Sequence, residues 1–139
     1  MSVLLEKYSG RLAVFFGYDE ILAHQVYAAA DMLLMPSRVE PCGLNQLYAL
    51  KYGTVPIVRG IGDLKDTVID VEENGYGYVF KEAAVADAVA AVERALPAIG
   101  SAKSLSVIRA HEMSLDYSWN KSAQKYIALY NQLVKSYGT

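Results

Sequence analysis

The run Pro36-Ser37-Arg38-Val39-Glu40-Pro41-Cys42-Gly43-Leu44 places a carboxylate, a thiol, a hydroxyl and a guanidinium in one short stretch. It follows an apolar, strand-like segment, Met32-Leu33-Leu34-Met35, and precedes a helix-like one, Asn45 to Tyr52. A strand opening into a helix through Pro, Ser and Gly is where α/β proteins hold anions. The free N–H groups of the helix start point outward, and the helix dipole favours negative charge. Glu40 in the same place repels a phosphate, so its carboxylate suits an uncharged polar part of a ligand, such as sugar hydroxyls. The loop implies a phosphate-bearing sugar.

Each residue has a plainer reading beside the chemical one. Glu40 is either a ligand contact or a solvated loop carboxylate. Gly43, Leu44 and Asn45 either offer backbone N–H groups to a phosphate, or form an ordinary loop-to-helix junction. Gly43 would let the chain approach a phosphate closely. Cys42 has no base suggested nearby that could make it a nucleophile, so it reads as a small, polarizable lining residue. Arg38 faces phosphate or serves as an ion-pair partner. Tyr18 follows Gly17 at the carboxyl end of an expected strand, the side on which α/β sheets bind ligands. His24 and His111 lack metal-ligand spacing with each other or with the single Cys, so they read as structural or surface residues and no metal is expected.

The elements that must position these residues alternate. Leu12-Ala13-Val14-Phe15-Phe16 is an apolar run closed by Gly17 and reads as a buried strand. Asp19 can cap a helix from Glu20 to about Ala30. Met32 to Met35 is a strand stopped by Pro36. A helix from about Leu44 to Tyr52 ends at Gly53. Val55 to Val58 is a strand, followed by a loop at Gly60-Ile61-Gly62-Asp63 and a short helical turn near Leu64 to Thr67. Gly77-Tyr78-Val79-Phe80 is another strand. Val85, Val89, Val92 and Leu96 form one face of a helix that Pro97 soon limits. Ser101 and Ser118 can cap two final helices, the last carrying Trp119, Tyr126, Ile127, Tyr130 and Leu133 on one face. Strand–helix alternation with buried strands predicts a Rossmann-like α/β fold, a parallel sheet flanked by helices.

With 139 residues, the chain is expected to be a single domain spanning 1–139. Hydrophobic residues make up 53% and charged residues 20%, a globular balance with no run able to span a membrane. Met1 to Lys7 has no signal-peptide pattern, which makes the cytoplasm the default compartment. A net charge of −2 gives a nucleic-acid partner no electrostatic support. One Cys excludes an internal disulfide framework.

The stretch from Ala30-Asp31-Met32 to Gly53-Thr54-Val55-Pro56 resembles the C-terminal domain of bacterial glycogen synthases and starch synthases. It matches A-D-x-x-L-x-P-S-R-x-E-P-C-G-L-x-Q-L-Y-x-L-K-Y-G-T-x-P. The resemblance reaches upstream to Gly17-Tyr18 and downstream to Asp66-Thr67-Val68 and Ser118-Trp119. It implies the incomplete C-terminal half of a GT-B glycosyltransferase. The parent enzyme would transfer glucose from ADP-glucose, with retention, to the 4-OH end of an α-1,4-glucan, using no cofactor. By the same resemblance Glu40 contacts the donor glucose, Tyr18 stacks on the base, Cys42 lines the sugar pocket, and Gly43, Leu44 and Asn45 hold the distal phosphate. The family usually has Thr at the position of Asn45. Asp63 stands where the family has the second Gly of a G-G-L segment, adding a Cβ and a negative charge to a close backbone contact.

The resemblance also points to what has no counterpart here. The family's K-x-G-G-L loop and its S-R-L-x-x-x-K-G segment, whose Arg and Lys neutralise the leaving diphosphate, are not found in this sequence. Losing one such stabilising donor typically costs about 10²–10³-fold in rate, so the chain alone is expected to be inactive. Two other readings compete: a non-catalytic assembly module, and a portion of another GT-B enzyme such as sucrose synthase. E-P-C-G-L argues against the latter, as does Tyr48, where those relatives carry a second Glu. By resemblance Leu12–Phe16 is the third strand of an order 3-2-1-4-5-6. Without strands 1 and 2 it could close up against Met32–Met35, detach, or pair with another copy. A homo-oligomer is expected, through that segment or the Trp119–Tyr130 face.

Overall fold

The computed structural model describes residues 2–137. Its centre is a parallel three-stranded sheet in the order β1-β2-β3. The strands are β1 (Met32–Met35), β2 (Val55–Arg59) and β3 (Tyr78–Phe80). Met32 sits opposite Val55, and Ile57 sits opposite Tyr78. Around the sheet run α1 (Ser2–Lys7), α2 (Glu20–Ala29), α3 (Asn45–Tyr52), α4 (Asp63–Thr67), α5 (Val85–Ile99), α6 (Ala102–Met113) and α7 (Trp119–Tyr137).

The central strand explains the layering. A strand covered on both faces reads as a continuous apolar run, and Val55-Pro56-Ile57-Val58 is buried throughout. Val55 and Ile57, with Tyr78 and Phe80, pack against Ala91 and Ala95 of α5 and Leu105 of α6. Val58 and Met35 pack the other way, against Leu64 of α4 and Val68. The caps follow the sequence reading. Asp19 accepts from the Leu22 N–H at 2.9 Å, Ser101 from Ser104 at 3.2 Å and Ser118 from Lys121 at 3.3 Å. Gly53 closes α3 with φ +75°, a conformation that suits glycine. The Thr54 hydroxyl then donates to the carbonyls of Tyr27 and Ala30, tying the end of α2 to the start of β2.

Asp70 and Arg94 fasten α5 to β3. Arg94 donates to Asp70 at 2.9 Å, to Glu72 at 2.8 Å and to the Val79 carbonyl at 2.9 Å. Asp70 also accepts from the Val79 amide at 2.7 Å. Burial pushes the Asp70 carboxyl up, but hydrogen bonds from Arg94, Glu72 and Val79 outweigh it and leave it below its ordinary value.

One expectation needs correction. Leu12–Phe16 is not a strand but an exposed, irregular segment, with Phe16 78% accessible. A strand needs backbone partners as well as apolar side chains, and β1 pairs only with β2 among the described residues. Of the three arrangements open to this segment, the single chain adopts the detached one. Pro97 limits α5 as expected, two residues before its end. It has no N–H to give to the carbonyl four residues back, and the helix ends at Ile99, closed through the Gly100 N–H to Leu96 at 3.2 Å. Helix α1 has no counterpart in the sequence reading. No helix among the described residues is long and apolar enough to cross a membrane.

Candidate functional site

Residues Pro36 to Leu44 leave the carboxyl end of β1 and enter α3. Glu40 is half-buried, and its Oε2 accepts from the Ser37 hydroxyl at 3.1 Å. Its carbonyl accepts from the Asp63 amide at 3.3 Å. That close approach depends on Gly62. A Cβ there would lie 1.8 Å from the Glu40 carbonyl oxygen, and φ is +52°. The loop after β2 is thus fitted against the backbone of Glu40.

The start of α3 is open. Leu44 occupies its N-cap position and supplies no side-chain acceptor. The first N–H groups of the helix therefore lack the usual capping oxygen and are suited to an anion. Gly43 is buried, while Cys42, Leu44 and Asn45 are exposed. Tyr18 stands on a separate segment just before α2 and is 91% accessible. The structure therefore gathers Glu40, Cys42, Gly43, Leu44 and Asn45 on one loop and places Tyr18 on another.

Beneath this loop lies Gln46, which the sequence reading missed. Its side chain is fully buried, and its amide nitrogen donates to the Gly43 carbonyl at 2.6 Å, Asp63 Oδ2 at 2.8 Å and Thr67 Oγ1 at 3.2 Å. A Cβ on Gly43 would meet Gln46 Oε1 at 2.5 Å, so the glycine is required by packing as well. The signal was spacing: Gln46, Ala49 and Leu50 share the buried face of α3. Asp63 is accommodated for the same reason. The positive φ belongs to Gly62, so the Asp63 Cβ meets no backbone conflict, and the carboxylate is engaged by Gln46.

Arg38 is exposed and forms no ion pair among the described residues; its carbonyl is bonded by Arg59 at 3.0 Å. His24 is structural: Nδ1 lies 3.0 Å from the Tyr52 hydroxyl, and the ring packs against Tyr27 and Tyr48. His111 packs edge-on against Tyr76. Among the described residues no group of His, Cys, Asp and Glu is arranged to hold a metal.

A second recess, of about 360 Å³, lies between α3 and the α6–α7 connection. Glu112 lines it, 1% accessible, with neither carboxyl oxygen hydrogen-bonded. Burial pushes this carboxyl up to about 8 against the pull of Arg109, so it is neutral at pH 7.

Comparison with known proteins places this geometry. The family model described as "Glycosyl transferases group 1" matches residues 9–105. A glycogen synthase of Flavobacterium johnsoniae is 44% identical over 97% of this chain, and one of Halorhodospira halophila is 48% identical over 96%. The chain spans about 28% of the length of these curated relatives. Among solved structures, the catalytic domain of starch synthase IV from Arabidopsis thaliana, bound to ADP and acarbose, superposes with a TM-score of 0.83 at 33% identity. The match covers 96% of this chain and 29% of that one. A sucrose-phosphate synthase from Thermosynechococcus elongatus gives 0.68 at 26% identity, over 97% of this chain and 34% of that one. The parallel sheet and its flanking helices have the fold of a GT-B enzyme, and the chain belongs to the group 1 glycosyl transferases, with glycogen and starch synthases as its relatives.

Proposed function

We propose that residues 1–139 form one unit, the nucleotide-sugar-binding portion of a glycogen synthase. The parent enzyme transfers glucose from ADP-glucose to the 4-OH end of an α-1,4-glucan with retention. The observation that carries this reading is the uncapped start of α3 beside Glu40, which offers N–H donors and a carboxylate on one short loop. The amides of Gly43, Leu44 and Asn45 take the distal phosphate. Glu40 takes the donor glucose, Cys42 lines its pocket, and Tyr18 stacks on the base. No residue pair on this loop neutralises a leaving diphosphate, so the chain alone does not turn over. The exposed apolar residues of Leu12–Phe16 and α7 support a homo-oligomer, and the location we assign is the cytoplasm.

The test is a titration of the ¹⁵N-labelled chain with ADP-glucose and with ADP. We expect shifts at Tyr18 and at Gly43 to Asn45, with a Kd of about 1 mM, or roughly 4 kcal/mol. Glu40→Ala should weaken ADP-glucose and leave ADP unchanged. Shifts confined to residues away from both Tyr18 and Gly43 would rule the reading out. Glucan elongation from labelled ADP-glucose should not exceed that of Glu40→Ala, and light scattering should give a mass above that of the monomer.

A further inference from the structure

We infer that Arg59 is a positioning residue for Glu40, an inference that rests on Glu40 contacting the donor sugar. Arg59 is the last residue of β2, and its guanidinium turns across the carboxyl end of the sheet. Nε donates to the Lys81 carbonyl, just beyond β3, at 3.0 Å. Nη1 donates to the Arg38 carbonyl at 3.0 Å and to the Ser37 carbonyl at 3.4 Å. Arg59 enters no ion pair among the described residues, so its charge is directed at carbonyl oxygens alone. Ser37 completes the connection. Its carbonyl is held by Arg59 while its hydroxyl donates to Glu40 Oε2 at 3.1 Å. A continuous path thus runs from the end of β3 through Arg59 and Ser37 to the Glu40 carboxylate.

The residue type matters. A guanidinium is a rigid fork with five N–H donors and can serve carbonyls on two segments at once. A lysine ammonium is a point donor on a flexible stem and cannot hold the same three oxygens in fixed geometry. Arg59 therefore ties the loop carrying Glu40 to the ends of β2 and β3 rather than leaving it to its own backbone.

The experiment measures ADP-glucose and ADP affinities of the labelled chain and of Arg59→Met, Arg59→Lys and Glu40→Ala, and takes the ADP-glucose to ADP ratio for each. A general loss of structure lowers both affinities, whereas misplacing Glu40 lowers only the sugar-dependent one. Arg59→Met should reduce the ratio about fivefold, the scale of one hydrogen bond, with ADP binding within twofold of the parent. Arg59→Lys should fail to restore it, and because it keeps the charge and stem it carries the test should the Met variant not fold. If Glu40→Ala lowers the ratio while both Arg59 variants keep it, the positioning role is overturned and the Glu40 reading stands. If Glu40→Ala leaves the ratio unchanged, the Glu40 reading falls and this inference falls with it.

Discussion

Residues 32–113 and the two ends of the chain use the same kinds of side chain to opposite effect. In the first region Val55, Ile57, Val58, Leu64 and Leu50 are lost from solvent, and the amide nitrogen of the polar Gln46 beneath the loop shares its two protons among three acceptors while its Oε1 is left unpaired. In the second, Phe15, Phe16, Trp119, Tyr126, Ile127 and Tyr130 face outward, and α7 buries none of its residues. The α7 helix is amphipathic and capped by Ser118, yet its apolar face buries no residue. The comparison teaches that pattern decides which face of an element is apolar, while burial needs a second surface to arrive. The candidate site lies wholly on the packed side, apart from Tyr18.

The largest expected effect breaks the packed side directly. Leu64 is fully buried against Met35, Val58 and Val68, so Leu64→Ala should cost about 2–5 kcal/mol in chemical denaturation. A smaller loss would mean that α4 packs as loosely as the chain ends.

Glu112 is buried on the packed side with both carboxyl oxygens unpaired, and replacing it with Gln should stabilise the protein. The native carboxyl keeps its proton up to about pH 8, whereas the unfolded one releases it near its ordinary value of 4.5. Between those limits the native state binds more protons, so stability falls as pH rises. Glu112→Gln removes that dependence. Its stability should match the parent near pH 4.5 and exceed it progressively up to about pH 8, where the gain levels off at about 5 kcal/mol. Parallel melting curves across that range would show that Glu112 finds a partner.

The smallest effect belongs to the exposed side. Trp119 is 88% accessible, so Trp119→Ala should change monomer stability by no more than about 0.5 kcal/mol. Light scattering of the same variant sharpens the contrast, because a loss of mass at unchanged stability locates the association on α7.

Much of this was legible in the residues. Asp19, Ser101, Ser118 and Gly53 mark helix ends through local hydrogen bonding and backbone preference, and they do so whatever surrounds them. The three strands announce themselves as short apolar runs between turn residues. Leu12–Phe16 sends the same signal and is not a strand, because pairing depends on a neighbour that an apolar run does not specify. The Glu40 loop was legible through its composition. Its supports were not: Gln46 reaches Asp63 and Thr67, and Arg59 reaches Ser37 and Arg38, and a separation of about twenty residues carries no local pattern. Asp63 shows the converse, since what looks like an intrusive charge becomes harmless once its partner is seen.

Gly62 and Asp63 lie side by side against Glu40, and their histories under mutation should diverge sharply. Every substitution at 62 introduces the atom that collides with the Glu40 carbonyl, in a backbone conformation that side chains disfavour. At 63 the backbone conformation is an ordinary one, so a side chain is accommodated, and Asp63 uses it to accept from Gln46. Substitution is therefore far costlier at 62 than at 63, and the costlier position is the residue with no side chain to do any chemistry.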